Sequence, residues 1–120
     1  MFDHIGLHVR NLDASIAFYQ AVLAPLGHEL GSRDATSAGF GPRNAPALWL
    51  YAGQPSGTTH VAFRAADRAT VDRFHDRGLA AGGRDYGRPD LRPDYAPTYY
   101  AAFLLDPDGN NVEAVCMEAR

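Results

Sequence analysis

Three side chains in this sequence could together hold a metal ion: His4, His60 and Glu113. Imidazole and carboxylate groups bind divalent zinc, iron, manganese and nickel, and three such ligands leave positions open for water or substrate. Glu113 gives the first indication of a site, because it lies among apolar residues on a strand that we predict to be buried on both faces. A buried carboxylate is costly unless it is paired, protonated or bound to metal, so Glu113 requires a partner.

The segment that carries Glu113 is predicted to be a β-hairpin. Apolar runs at residues 99–105 and 112–117 flank the turn Asp106-Pro107-Asp108-Gly109, where proline and glycine favour a tight reversal. Alternation along the second strand places Glu113 on the same face as Val115. The carboxylate therefore lies just beyond the turn, at a position fixed by the hairpin.

The two histidines belong to a repeat in the sequence. Residues 59–65 (Thr-His-Val-Ala-Phe-Arg-Ala) align with residues 3–9 (Asp-His-Ile-Gly-Leu-His-Val) at an offset of 56 positions, and the similarity continues into the following segment. The repeat predicts a single domain, 1–120, made of two strand-helix-strands modules at about 1–55 and 57–120, related by a pseudo-twofold axis. The axis would make His4 and His60 equivalent.

Hydrophobic periodicity predicts the elements that position these residues. A strand over residues 2–9 leads into a helix capped by Asn11 or Asp13, and a clear strand follows at residues 47–52. Two short strands are predicted between them, near residues 28–33 and 36–40. Strands and helices in this mixture indicate an α+β fold.

The second module begins with a strand over residues 59–65 and a helix capped by Asp67. We expect Val71, Phe74 and Leu79 to form the apolar face of that helix. Residues 82–97 contain three glycines and three prolines, which predicts an irregular segment. That segment is interpreted either as a lid or binding loop or as a solvated excursion.

Composition narrows the possible functions. The chain has 120 residues and a formal net charge of -3, with no basic cluster, no apolar run long enough to span a bilayer and no leader of the secretory type. We therefore expect a cytoplasmic protein with a small-molecule substrate and neither a nucleic-acid nor a membrane partner. The absence of lysine excludes Schiff-base chemistry, and the single cysteine, Cys116, excludes intrachain disulfides and thiolate zinc clusters.

Each candidate ligand also has a simpler structural explanation. A single histidine on a strand is more often a hydrogen-bonded structural residue, and Glu113 could be exposed or paired with an arginine. The repeat and the hairpin carboxylate together favour the metal site. His8 lies further along the first strand, and His28 and His75 have no partner in the repeat, so we expect these three to be non-ligands.

The segments Asp3–Tyr19, Thr59–Phe63 and Phe103–Glu113 resemble the vicinal oxygen chelate superfamily, and the resemblance covers essentially the whole chain. This superfamily includes glyoxalase I, fosfomycin-resistance enzymes, extradiol dioxygenases and bleomycin-binding proteins. The resemblance implies two βαβββ modules that pair into an open, cup-shaped mixed sheet, in a homodimer. It also implies that His4, His60 and Glu113 bind one divalent metal ion (Zn, Ni, Mn or Fe(II)) and that Glu113 is a catalytic residue.

The resemblance does not fix the reaction. Glyoxalase I has a fourth ligand, a glutamate on the last strand of the first module, whereas residues 47–52 (Ala-Leu-Trp-Leu-Tyr-Ala) contain no carboxylate. A three-ligand site is closer to thiol transferases of the fosfomycin type and to ring-cleaving dioxygenases than to a standard four-ligand glyoxalase I. We expect a metal-dependent lyase, isomerase, thiol transferase or dioxygenase whose small substrate chelates the metal through two oxygens.

Two alternatives to an enzyme remain. One is a non-catalytic protein of the bleomycin-resistance type, which sequesters a ligand in the cup; the other is a metal-stabilised structural module.

Candidate substrate contacts follow from strand parity and from the irregular segment. Aromatic side chains beside a metal suit a small organic substrate, and an arginine could hold a carboxylate or phosphonate. The alternative is that the aromatic residues belong to the core and that the arginines are solvated. The candidates are Trp49, Tyr51, Arg88, Arg92, Tyr95, Tyr99 and Phe103.

Overall fold

The computed structural model describes residues 1–119, which contain eight strands and two α-helices. The elements in chain order are β1 (Ile5–Val9), α1 (Leu12–Leu23), β2 (Glu29–Arg33), β3 (Ser37–Gly41), β4 (Leu48–Ala52), β5 (His60–Arg64), α2 (Arg68–Ala80), β6 (Arg84–Leu91), β7 (Tyr100–Leu105) and β8 (Asn111–Cys116). A 3₁₀ turn over Ala24–Leu26 follows α1.

The strands form two open four-stranded mixed sheets of the same design. The first sheet has the order β1-β4-β3-β2 and the second has the order β5-β8-β7-β6. In each sheet the first strand runs parallel to the last strand of its own half, and the other pairs are antiparallel. This arrangement confirms the predicted α+β fold with two βαβββ units.

Each helix begins at a side-chain cap: Asp67 as the sequence predicts, and Asn11 of the two candidates Asn11 and Asp13. The Asn11 side chain accepts a hydrogen bond from the Ala14 amide at 3.0 Å, and the Asp67 side chain accepts one from the Thr70 amide at 2.8 Å. The two helices contact each other, and their apolar faces share one core with both sheets. The largest buried side chains of that core are Tyr19, Phe18, Phe40 and Phe74.

Two predictions for the second half of the chain are wrong. Leu79 is exposed, because Gly78, seven positions after Val71, lies on the buried stripe of α2 instead. Residues 84–91 form β6 rather than an irregular segment, although register shifts at Gly87 interrupt their pairing with β7. The glycine and proline in this segment led to the prediction of an irregular segment, but a bulged edge strand tolerates both residues.

The strands β1 and β5 lie near each other, since residues of both line one cavity of about 180 Å³. Each of them has one edge without a backbone partner among residues 1–119. Over the same residues, neither helix has the length and apolar character needed to cross a membrane.

Candidate functional site

His60 and Glu113 lie on one face of the second sheet. Strand β5 pairs with β8 so that His60 is opposite Asn111 and Ala62 is opposite Glu113, which brings the imidazole and the carboxylate together. His60 Nε2 lies 3.1 Å from Glu113 Oε1. The Glu113 side chain is only 3% exposed, whereas the His60 side chain is 50% exposed. One buried carboxylate therefore faces one imidazole that solvent or a ligand can reach.

The backbone fixes the orientation of the His60 ring. Its Nδ1 atom lies 3.0 Å from the carbonyl oxygen of Asn111, and a carbonyl can only accept a hydrogen bond. Nδ1 therefore carries a proton and donates it, which leaves Nε2 as the atom directed at Glu113. The Thr59 carbonyl accepts from the Asn111 amide at 2.9 Å, so the start of β5 is held firmly against β8.

Aromatic side chains surround the Glu113 carboxylate. The Tyr99 hydroxyl donates a hydrogen bond to Glu113 Oε2, and burial, followed by the interaction with Glu113, raises the pKa of Tyr99 to about 12. The Phe103 ring lies opposite Glu113 in the sheet and stacks on His60, with 6.3 Å between ring centroids. Tyr95 packs edge-to-face on Tyr99 at 5.1 Å. Of these three predicted pocket residues, Tyr99 contacts the carboxylate, Phe103 stacks on His60, and Tyr95 packs on Tyr99.

A buried hydrogen-bond network at the turn between β7 and β8 supports the position of His60. The Asp106 carboxylate accepts hydrogen bonds from the Tyr19 hydroxyl at 2.5 Å and from the Asp108 amide and the Asn110 amide and side chain at 2.9 Å each. Asn110 Oδ1 in turn accepts from the Thr59 amide, next to His60. Burial raises the pKa of Tyr19 well above its usual value, and Asp106 raises it further. The turn thus links α1 to the position of His60.

Sequence reasoning identified this turn as a hairpin and missed its supporting role. The available signal was the pair Asp106 and Asn110, two polar residues at a turn next to a strand buried on both faces. Tyr19 carried no separate signal, because it lies on the apolar stripe of α1. Its hydroxyl therefore looked like part of an ordinary core residue.

His4 is not part of this cluster. It is exposed, and its Nδ1 atom lies 2.7 Å from Asp3 Oδ1. Within residues 1–119, no group of three or more histidine, cysteine or acidic side chains is arranged to hold a metal ion. His4 does line the cavity of about 180 Å³ together with Ala62 and Phe63 of β5. The structure thus brings together two of the three predicted ligands and places the third near the same strand.

The equivalent face of the first sheet carries Trp49 where the second sheet carries Glu113. Trp49 is opposite Gly6 in β1, as Glu113 is opposite Ala62 in β5, and Gly6 and Ala62 are repeat equivalents. The indole lies over Gly39, where an added Cβ would come within 2.8 Å of the ring. The position of a fourth carboxylate is therefore occupied by an aromatic side chain.

The remaining predicted residues lie around these two faces. Tyr51 covers Gly6 and lies 5.9 Å from the His8 ring, on the first sheet. Arg88 is exposed, and its carbonyl accepts a hydrogen bond from Arg92. Arg92 lies over the Phe103 ring, with Cζ 5.2 Å from the ring centroid.

The two histidines without repeat partners lie elsewhere in the fold. His75 is buried on α2 and its Nε2 atom lies 2.8 Å from Asp85 Oδ1. His28 follows the 3₁₀ turn after α1, where burial lowers its pKa.

Comparison with known proteins gives a consistent result. The family model described as Glyoxalase/Bleomycin resistance protein/Dioxygenase superfamily matches residues 1–114. A crystal structure of a glyoxalase/bleomycin resistance protein from Albidiferax ferrireducens T118 is 29% identical, with a TM-score of 0.83 over 97% of this chain and 98% of that one. A putative glyoxalase from Bacillus halodurans is 26% identical, with a TM-score of 0.74 over 97% and 95%.

A more distant structure agrees in fold alone. A structure of lactoylglutathione lyase from Agrobacterium tumefaciens is 23% identical, with a TM-score of 0.70 over 97% of this chain and 92% of that one. A comparison with curated proteins gave no match.

Proposed function

Since this chain belongs to the glyoxalase/bleomycin resistance protein/dioxygenase superfamily, we propose that it is a metal-dependent enzyme acting on a small oxygen-bearing substrate. The metal ion would be bound by His60, Glu113 and His4. The observation that carries this proposal is the meeting of His60 Nε2 and Glu113 Oε1 at 3.1 Å.

The chemistry of these two atoms suits a cation between them. Because Nδ1 of His60 donates to the Asn111 carbonyl, Nε2 of the neutral ring has only a lone pair to offer. A carboxylate oxygen also only accepts, so two lone pairs face each other unless Nε2 carries a second proton or both atoms bind a metal. Neutral imidazole and carboxylate are common ligands for zinc and similar ions, and the donor set therefore fits one.

A bound divalent ion would act as a Lewis acid, polarising a substrate oxygen and stabilising negative charge that develops on it. The protein prepares the site through hydrogen bonds to its ligands. The Asn111 carbonyl fixes the His60 tautomer, and the Tyr99 hydroxyl occupies the second oxygen of Glu113. Partners of this kind orient ligands in metal sites and raise their affinity for the ion. The Phe103 ring stacks on the His60 ring.

The third ligand, His4, is proposed to come from a second copy of the chain. Within residues 1–119 His4 interacts with Asp3 and forms no three-ligand group with His60 and Glu113. The free edges of β1 and β5 leave room for a homodimer in which each copy supplies His4 to its partner. Two equivalent sites would then form per dimer.

Trp49 favours some reaction types over others. Because an aromatic side chain lies where a fourth carboxylate would be, that position would supply no base beside a bound metal. Proton transfer between adjacent carbons, as lactoylglutathione lyase requires, would then have no carboxylate to carry it on that side. We therefore propose thiol transfer or oxidative ring cleavage ahead of isomerisation.

Mixing two inactive variants tests this assignment. We would prepare His4→Ala and His60→Ala proteins, each expected to have lost the metal, and let them exchange subunits. If His4 comes from the partner, a mixed dimer has one intact site, and random exchange should restore about a quarter of the wild-type metal content. If all three ligands come from one chain, mixing restores none; if His4 is no ligand, the His4→Ala protein keeps its metal before any mixing. Mixing His60→Ala with Glu113→Ala is the control, because both ligands of a site come from the same chain and every site of the mixed dimer then lacks one of them.

A further inference from the structure

We propose that Arg92 forms an anion-binding subsite beside His60 and Glu113, so that the substrate carries a carboxylate or phosphonate in addition to its metal-binding oxygens. This inference rests on the proposed function for the chelating end of the substrate. The inference that the substrate has an anionic end rests on Arg92 and its neighbours alone.

Arg92 is part of a continuous stack that ends at the candidate metal ligands. Its guanidinium carbon lies 5.2 Å from the centroid of the Phe103 ring. The same ring stacks on His60, with 6.3 Å between centroids and 27° between the ring planes. Phe103 is also directly opposite Glu113 in the sheet. A positive charge therefore lies one aromatic ring away from His60, a separation that a small molecule can span.

Main-chain groups hold the guanidinium in this place. Arg92 Nη2 donates hydrogen bonds to the carbonyl oxygens of Arg88 and, at 3.3 Å, of Ala101. Gly87 provides the space, because an added Cβ there would come within 2.8 Å of the Phe103 ring and 3.3 Å of Arg92 Nη2. Gly87 also has a φ of +155°, which side chains other than hydrogen rarely allow. The bulge in β6 thus leaves the space in which the Phe103 ring and the Arg92 guanidinium pack.

The charge of Arg92 has no counter-ion within the described part of the chain. Among residues 1–119, Arg10, Arg33 and Arg43 each lie within 4 Å of a carboxylate, and Arg92 does not. It is half-buried, its Nε is buried without a partner among residues 1–119, and Nη1 makes no hydrogen bond to those residues. A partly desolvated guanidinium gains most from an anion that can pair with it. Nη1, which has no partner among residues 1–119, is the group that would bind that anion.

Arg68 supplies a matched control. It also lies over an aromatic ring, with Cζ 5.1 Å from the Tyr100 centroid, and its Nε is also buried without a partner among residues 1–119. Tyr100 is on the opposite face of β7 from Phe103, however, because neighbours along a strand alternate. Arg68 therefore reproduces the stacked arginine at a place remote from His60 and Glu113.

The test compares two probes of nearly the same shape and of different charge: 3,4-dihydroxybenzoate and its neutral amide, 3,4-dihydroxybenzamide. Both present adjacent oxygens to a metal and carry the group of interest at the far end of the ring. Their affinities would be measured by isothermal titration calorimetry on zinc-loaded and on chelator-treated protein. We expect the wild type to bind the acid about 10- to 100-fold more tightly than the amide, as a charged hydrogen bond implies.

The variants assign that preference to one residue. Arg92→Met should abolish the preference for the acid while leaving the affinity for the amide unchanged, which also shows that the variant is folded. Arg92→Lys should retain part of the preference, and Arg68→Met all of it. Equal affinity of the wild type for both probes, no binding of the acid, or a preference that survives Arg92→Met would overturn the proposal.

The two protein forms separate this proposal from the metal assignment. If the metal assignment fails, zinc will not change the affinity of either probe, but the preference for the acid will persist in both forms. If only the anion subsite fails, zinc will tighten both probes equally.

Discussion

Removing the hydroxyl of Tyr19 should destabilise the protein, because the carboxylate to which it donates is buried. Tyr19 is fully buried, and its hydroxyl donates to Asp106 Oδ2 at 2.5 Å, where the carboxylate is itself 2% exposed. In Tyr19→Phe this carboxylate oxygen loses one of its donors in a place that water cannot reach. Hydrogen bonds to charged groups contribute about 1.5–3 kcal/mol, so the free energy of unfolding should fall by about that amount.

Tyr100→Phe is the matched control. Its hydroxyl also donates to a carboxylate, Asp72 at 2.6 Å, but Asp72 is exposed and can replace the lost donor with water. Its loss should cost less than about 1 kcal/mol. For a chain of this length 1 kcal/mol corresponds to about 4 °C in Tm. Tyr19→Phe should therefore melt about 6–12 °C below the wild type, and Tyr100→Phe less than about 4 °C below it.

Thermal melts followed by circular dichroism, together with urea unfolding, would measure both variants. A double-mutant cycle with Asp106→Asn would then separate the Tyr19–Asp106 interaction from changes in packing. If Tyr19→Phe costs no more than Tyr100→Phe, the buried network is not the support that we describe.

Three further predictions concern groups away from the candidate metal site. A hydrogen bond from His75 lowers the pKa of Asp85 below 3.8. The contribution of the Asp85 carboxylate to stability is therefore present above pH 3.8 and lost as the pH falls through the folded-state pKa. Thermal melts should show Asp85→Asn destabilised near pH 7 and close to the wild type at about pH 2. Burial, with the hydrogen bond to Asp72, raises the pKa of Tyr100 to about 12, so the stabilising effect of its hydroxyl is complete below the usual value of 10.0 and lost as the pH rises through about 12. In a pH titration, the phenolate absorbance that the wild type has and Tyr100→Phe lacks should have its midpoint near 12, and a midpoint near 10 would contradict this. Gly78→Ala should lower stability by about 1–3 kcal/mol in urea unfolding, despite the higher helix propensity of alanine, because the new Cβ would come within 2.2 Å of Leu104; a more stable variant would mean that the core can yield there.

The sequence was most informative where the signal is local or repeated. The alignment of residues 59–65 with residues 3–9 predicted two equivalent strand-helix-strands modules. Polar residues before apolar stripes predicted the cap Asp67 and limited the first cap to Asn11 or Asp13, of which the structure shows Asn11. The pairing of His60 with Glu113 follows from the same logic, because the first and last strands of one module lie side by side. Strand β6 was not predicted, because its bulges break the alternation of side chains on which strand prediction depends.

Other features depend on packing between distant parts of the chain. The repeat makes His4 equivalent to His60, but an equivalence does not give the distance between two modules, and His4 lies apart from the pair within residues 1–119. The stack of Arg92 on Phe103 joins the residue after the bulged edge strand β6 to β7 and has no signature in residue spacing. The Tyr19–Asp106 contact spans 87 positions and is likewise set by the fold.

The most direct test of the proposed function is the metal content of untagged protein, measured by elemental analysis before and after chelator treatment and after refilling with Zn, Ni, Mn or Fe(II). His8→Ala is the matched control for His60→Ala, because His8 is an exposed strand histidine outside the predicted ligand set. We predict about one metal ion per chain in the wild type and in His8→Ala, and almost none in His60→Ala. A wild type that neither contains metal nor takes it up, or a His60→Ala protein with full metal content, would contradict the assignment and favour a ligand-sequestering protein.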